Sequence, residues 1–88
     1  MKHTYIISYD LKGSEGYEDL FEAIKEYSGW ARITESTWAI VTEENHTEIR
    51  DNLGSYLPKG SRLFVVRSGS VAAWRNTICS NDWLKKNI

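Results

Sequence analysis

Apolar residues in the first part of the chain follow two different spacings. Residues 3–9 (HTYIISY) are mostly β-branched or aromatic, which is typical of a strand, and the turn-like residues 10–13 follow it. Residues 14–16 lead into a helix, whose apolar positions recur at the spacing of an amphipathic helix: Tyr17, Leu20, Phe21, Ile24 and Tyr27. Gly29 stands where a helix C-terminal cap is expected. The pattern predicts a strand followed by a helix.

The rest of the chain predicts a hairpin, a second helix and a fourth strand. Residues 30–42 (WARITESTWAIVT) are rich in β formers, so we expect two strands joined near Glu35 and Ser36. Asn45 and Glu48 have the spacing of a capping box, and the helix they begin must end before Pro58. Residues 62–67 (RLFVVR) are typical of a strand, and residues 80–82 (SND) of the cap of a last helical turn.

This element order predicts an α+β fold of the ferredoxin-like βαββαβ type. Right-handed crossovers place both helices on one face of a four-stranded antiparallel sheet. The 88 residues fit one domain, with a core at about residues 3–67 and a short C-terminal extension at about residues 68–88.

The helix-free face of this sheet needs a cover, because most strands are apolar in both registers. Trp38 and Ile40 oppose Ala39 and Val41, for example. The extension, with Val71, Ala73 and Trp74, is one candidate cover, and a second copy of the chain is the economical one for so short a sequence. We therefore expect a homodimer through this face, with Trp38 and Ile40 as its candidate interface residues.

Charge is unevenly distributed, although the net charge is only −1. Residues 1–58 hold five Lys or Arg against eleven Asp or Glu, whereas residues 59–88 hold six basic residues against Asp82 alone. One interpretation is ordinary solvated surface. The other is a phosphate-binding C-terminal edge, for which the candidates are Arg62, Arg67, Arg75, Lys85 and Lys86.

The cellular compartment is predicted from what the sequence lacks. Cys79 is the single cysteine, which excludes an internal disulfide, and the first residues carry no long apolar signal region. No apolar run approaches the roughly 20 residues that cross a bilayer. We expect a cytoplasmic protein without a membrane partner.

Several short motifs together resemble a known family. They are Tyr9-Asp10 at a strand end, the amphipathic helix, Ser28-Gly29, and Ser36-Thr37-Trp38 entering the third strand. In this order they resemble the small CRISPR-associated Cas-two family and its relatives, including virulence-associated protein D. The tail, with Ala72-Ala73-Trp74 and Asp82-Trp83-Leu84, resembles the stand-alone relatives outside CRISPR loci. The resemblance implies a homodimer with facing sheets and, in some members, metal-dependent cleavage of RNA or DNA.

Asp10 is the residue to which the resemblance gives a catalytic and metal-binding role. In the family the matching aspartate lies near the dimer axis, where two copies hold a divalent ion, usually Mg²⁺, with Mn²⁺ as a substitute. A carboxylate suits such a hard cation, which activates water and neutralises phosphate charge. The alternative needs no metal, because Asp10 and Gly13 fit the first and fourth positions of a type I turn. The predominantly acidic first helix departs from the Arg-rich helix of many CRISPR members.

Two functions follow. The first is a magnesium-dependent nuclease of the Cas-two type that acts as a homodimer through Asp10. The second is a non-catalytic dimeric module of a defence or toxin–antitoxin system, which binds nucleic acid or a protein through the basic segment. Walker loops, dinucleotide fingerprints and nucleophile elbows are absent from the sequence.

Overall fold

The computed structural model describes residues 1–13 and 17–88 and contains four strands and three helices among them. The predicted lead-in to the first helix, residues 14–16, lies outside the described residues. In chain order the elements are β1 (His3–Asp10), α1 (Tyr17–Lys25), β2 (Gly29–Thr34), β3 (Thr37–Thr42), α2 (His46–Gly54), β4 (Arg62–Arg67) and α3 (Asn81–Asn87). No helix in these two ranges is long and apolar enough to cross a bilayer.

The strands form one antiparallel sheet in the order β2-β3-β1-β4. With one helix between β1 and β2 and another between β3 and β4, this is the ferredoxin-like arrangement, so the predicted fold is confirmed. Ile7 lies opposite Trp38 on β3 and opposite Val65 on β4, which places these side chains on the same face of the sheet.

The hydrophobic core lies between that face and the first two helices. Tyr5, Ile7 and Tyr9 alternate along β1 and are buried, as are Trp38 and Ile40 on β3. From the helices they meet Leu20, Ala23, Ile24, Ile49 and Leu53. The alternating apolar side chains of the strands and the helically spaced apolar side chains of α1 and α2 thus pack into one core.

Local signals set the helix ends closely, with one exception. Asn45 caps α2 in a capping box, since its side chain accepts from the Glu48 N–H and the Glu48 side chain accepts from the Asn45 N–H. The Ser80 side chain caps α3 by accepting from the Trp83 N–H. Gly29 is not the cap of α1, as predicted, but the first residue of β2, where a Cβ would come within 3.0 Å of the Val41 Cβ. Its role is close packing between strands.

The C-terminal extension covers part of the helix-free face. Leu84 of α3 is 2% exposed, and Ala31 and Ala39, on the outer face of β2 and β3, are buried. The Thr4 hydroxyl donates to the Asn87 carbonyl, and the Ile78 N–H donates to the Ile33 carbonyl over 2.9 Å. The predicted last helical turn is therefore a short helix, the third one, which shields the β2–β3 half of this face.

Candidate functional site

Asp10 ends β1 on the helix-free face of the sheet. The neighbouring Tyr9 points into the core, so the alternation of the strand turns the Asp10 side chain to the other side. Arg62, the first residue of β4, lies directly opposite it. Its Nη1 donates to the Asp10 Oδ2 over 2.7 Å, and the two side chains are 82% and 66% exposed.

Tyr9 fixes the end of β1 next to Asp10. Its backbone N–H donates to the Ser36 carbonyl over 3.1 Å, and its hydroxyl donates to the Glu35 carbonyl over 3.0 Å. The same hydroxyl oxygen accepts from the Trp38 Nε1 over 2.9 Å. Burial raises the pKa of the Tyr9 phenol, an effect that the Trp38 hydrogen bond and nearby Arg32 partly offset. The hairpin turn is thereby tied to the strand end that carries Asp10.

Two loops meet beside Asp10 and form a small basic cavity. The Lys12 N–H donates to the Ser61 Oγ over 2.8 Å, which ties the β1–α1 loop to the loop before β4. The φ angles of Gly13 and Gly60 are 85° and 88°, a region that L side chains rarely adopt. The cavity, of about 210 Å³, is lined by Asp10, Leu11, Lys12, Gly13, Gly60 and Arg62. We call this cavity the β1–β4 corner.

Among the residues that the structure describes, the β1–β4 corner combines the cations of Lys12 and Arg62 with the carboxylate of Asp10. The aliphatic part of the Lys12 side chain lies beside Gly60, about 3.9 Å from where a Cβ would stand, so the loop contact holds Lys12 at the rim. Lys59 precedes Gly60 in the sequence. An arginine offers a planar fork of N–H donors and a lysine a compact charge, and both bind phosphate. This arrangement suits an anion with several oxygens.

Within the described part of the chain, the β1–β4 corner offers a divalent ion one carboxylate, that of Asp10. Within residues 1–13 and 17–88 no three His, Cys, Asp or Glu side chains come together as a metal site. Asp10 alone is a weak ligand set, although Mg²⁺ often keeps several waters and binds one or two carboxylates. A second copy that brought its Asp10 close would supply the second carboxylate.

The five predicted basic candidates do not form a single cluster. Arg62 lies in the β1–β4 corner, whereas Arg67 lies at the other end of β4, about 17 Å away at the usual rise of a strand. The remaining three, Arg75, Lys85 and Lys86, are exposed on the extension. Lys12 was missed because it lies outside the basic C-terminal segment, and only the meeting of two loops places it beside Arg62.

The predicted interface residues Trp38 and Ile40 lie in the core, so that prediction is wrong. They are 1% and 0% exposed and face the helices, and the Trp38 indole packs against Phe21 in a tilted arrangement with ring centroids 5.3 Å apart. Both faces of β3 are apolar, so the sequence did not show which register faces the helices. The outward register contains Thr37, Ala39 and Val41 instead.

An apolar area on the helix-free face is left open by the extension. Phe64 and Val66 on β4 are 62% and 42% exposed, and Val71 is almost fully exposed. We call these three residues the open strip. Beside it lies a groove of about 260 Å³, whose lining includes Ile6, Ile33, Val66, Trp74, Leu84 and Ile88. The Trp74 Nε1 at this groove donates to the Asn81 Oδ1 over 3.0 Å.

The opposite side of the molecule is acidic. A cavity of about 470 Å³ between α1 and α2 is lined by Glu26, Glu44 and Glu48 together with Tyr27, Tyr56, Asn52 and Ala23. The Tyr27 hydroxyl accepts from the Asn52 Nδ2 over 2.9 Å, and burial raises the pKa of the Tyr27 phenol. Carboxylates repel phosphate, so this cavity is unsuited to a polyanion.

Comparison with known proteins found no match for the sequence, either among protein-family models or among curated proteins.

Proposed function

We propose that this chain is a homodimeric nucleic-acid-binding protein that contacts the phosphate backbone at the β1–β4 corner. The observation that supports this proposal most directly is the convergence of Lys12 and Arg62 from two loops onto one small cavity. Phosphate contacts from Lys and Arg provide most of the affinity in non-specific nucleic-acid binding.

A long polyanion fits this surface better than a small phosphate compound. Arg62 begins β4 on the helix-free face, and Arg75, Lys85 and Lys86 add exposed positive charge on the extension. Arg67 lies opposite the inward-facing Tyr5, so it belongs to the other register of β4 and is not part of this surface. A ligand with repeated phosphates reaches both the β1–β4 corner and the extension, whereas a single phosphate group reaches only one of them. The acidic cavity between α1 and α2 would repel such a ligand from the helix side of the molecule.

A second copy of the chain is the proposed cover of the open strip. Phe64, Val66 and Val71 present large apolar side chains on the face that α3 leaves uncovered. Contiguous exposed apolar residues of this kind mark interaction surfaces, and most soluble oligomers are symmetric homo-oligomers. The β4 strand also lies at an edge of the sheet, which is a common place for association.

Metal-dependent cleavage of the bound strand, as in the Cas-two family, is the second candidate function. Its supporting observation is that Asp10 is exposed on the same face as the open strip. The ion pair with Arg62 is no obstacle, because exposed pairs contribute only about 0–1 kcal/mol and a divalent cation competes readily. A dimer through this face would bring two Asp10 carboxylates toward one axis, where they would hold Mg²⁺ or Mn²⁺ with several waters.

Fluorescence anisotropy with short labelled single- and double-stranded RNA and DNA tests the binding proposal. Affinity should fall as salt rises, and Arg62→Gln should weaken binding and reduce the slope of log K against log salt by about 1. Arg50→Gln is the matched control, because Arg50 pairs with Asp51 on α2, on the other face of the sheet. Binding that is absent, or equally weak in the two variants, would contradict the proposal.

A further inference from the structure

The geometry points to an autoinhibitory role for Asp10: its carboxylate competes with phosphate for the Arg62 guanidinium. This inference rests on the proposed function, because it concerns the regulation of the same phosphate-binding corner. It predicts that the free protein holds its main phosphate-binding side chain in an internal ion pair. Binding of a phosphate then requires that Arg62 exchange one anion for another.

The contact between Asp10 and Arg62 is of the same kind as the phosphate contact that would replace it. Asp10 and Arg62 are directly opposed in the register of β1 and β4, so the backbone keeps the carboxylate within reach of the guanidinium. The Nη1–Oδ2 distance of 2.7 Å is that of a charge-assisted hydrogen bond. A phosphate oxygen that accepted from Nη1 would compete with Asp10 for that donor, and a phosphate on the other N–H groups would be repelled by the nearby carboxylate.

The exposure of the pair makes it a modulator and not a permanent block. With side chains 82% and 66% exposed, Arg62 and Asp10 are screened by water and separate readily. A buried pair would be too costly to break for an incoming ligand. An exposed pair lowers phosphate affinity by a limited factor and leaves the corner open.

The position of Asp10 in the cavity adds a second reason. Among residues 1–13 and 17–88, Asp10 is the single acid that lines the β1–β4 corner, which otherwise offers Lys12 and Arg62. A surface built only for phosphate gains nothing from a carboxylate at its centre. Competition for Arg62 gives that carboxylate a role in the unmetallated protein.

The test is a double-mutant cycle of Asp10→Asn and Arg62→Gln, read as the dissociation constant of a labelled single-stranded oligonucleotide in buffer with EDTA. Asparagine keeps the shape of the side chain and removes its charge. If Asp10 restrains Arg62, Asp10→Asn binds about three- to fivefold tighter than wild type, the range expected for release of an exposed ion pair. In the Arg62→Gln background the same substitution should leave affinity unchanged.

A matched control separates this effect from a general loss of negative charge. Glu35→Gln removes one charge at the same end of the sheet, where the Glu35 backbone accepts from Tyr9 and Arg32. It should leave affinity near that of wild type.

If Asp10→Asn raises affinity equally in the presence and absence of Arg62, the inference is overturned, since the gain is then a simple charge effect. If the wild type binds, Arg62→Gln weakens binding and Asp10→Asn leaves it unchanged, the inference is overturned while the proposed function stands. Failure of every variant to bind would overturn the proposed function and the inference together.

Discussion

The Trp38 indole N–H donates to the Tyr9 hydroxyl oxygen over 2.9 Å, in a part of the core where both residues are at most 5% exposed. The hydroxyl in turn donates a hydrogen bond to the Glu35 carbonyl in the hairpin turn. A buried tryptophan requires such an acceptor for its N–H group. The pair therefore joins the core to the strand end that carries Asp10.

Tyr9→Phe should destabilise the protein by about 1–3 kcal/mol, because it leaves the buried Trp38 N–H without its acceptor. Urea unfolding followed by tryptophan fluorescence measures the change. Tyr56→Phe is the control, since Tyr56 is 41% exposed, and a surface change of this kind usually stays within about 0.5 kcal/mol. Equal stability of the two variants would show that the hydrogen bond contributes little.

Alkaline pH should destabilise the fold through Tyr9 and Tyr27. Burial raises the pKa of both phenols above the ordinary value of about 10, so the unfolded chain releases their protons at a lower pH than the folded one. Their contribution is complete below pH 10 and is lost as pH rises from there through the folded-state pKa values.

Thermal melts between pH 8 and about 11.5 follow this loss, because the range brackets the ordinary tyrosine pKa. The melting temperature of a Tyr9→Phe/Tyr27→Phe variant, relative to its own value at pH 8, should fall less steeply with rising pH than that of the wild type. A parallel decline in both proteins would assign the alkaline transition to other groups.

Dimerisation should depend on the open strip. Light scattering of the wild type should report a mass twice that of the 10.2 kDa chain. The Phe64→Glu variant should have the mass of a single chain, because its dimer would bury a charge in the interface. Tyr56→Glu is the matched control, since Tyr56 is exposed after α2, on the other face. A monomeric wild type at micromolar concentration, or a dimeric Phe64→Glu variant, would contradict this interface.

The sequence predicted what depends on neighbouring residues and missed what depends on the register of distant ones. Asn45 with Glu48 and the apolar spacing of α1 are local signals, and the structure confirms the elements they predict. Which face of β3 turns inward is decided by packing, because Trp38 and Val41 are both apolar. Sequence alone therefore placed Trp38 on the wrong face.

The candidate site was predictable only in part for the same reason. Asp10 stood out at a strand end, and Arg62 stood out in a basic segment 52 residues later, but nothing local pairs them. The register of β1 against β4 creates the ion pair, and the contact between Lys12 and Ser61 completes the β1–β4 corner. Long-range geometry of this kind is set by the whole sheet.

Asp10→Asn should abolish Mg²⁺- and Mn²⁺-dependent cleavage of RNA or DNA if the second candidate function holds. Cleavage must survive extensive purification of the wild type, and gel assays on single- and double-stranded substrates with and without EDTA measure it. The fold should be kept, because Asp10 is exposed and asparagine also forms turns. Equal cleavage by wild type and variant would show that the Asp10 carboxylate takes no part in the reaction.

The same variant makes this test unusually specific, because binding and cleavage should change in opposite directions. Asp10→Asn is expected to bind the strand more tightly by freeing Arg62, so a loss of cleavage cannot be attributed to a loss of substrate. It should also lose any increase in melting temperature that Mn²⁺ gives the wild type, because the carboxylate that binds the ion is gone. Two Asp10 carboxylates near a dimer axis repel one another without a metal, so the metal-free variant should melt at or slightly above the wild-type temperature. If neither protein cleaves and neither gains stability with metal, the chain is a binding module, and the carboxylate of Asp10 serves Arg62 alone.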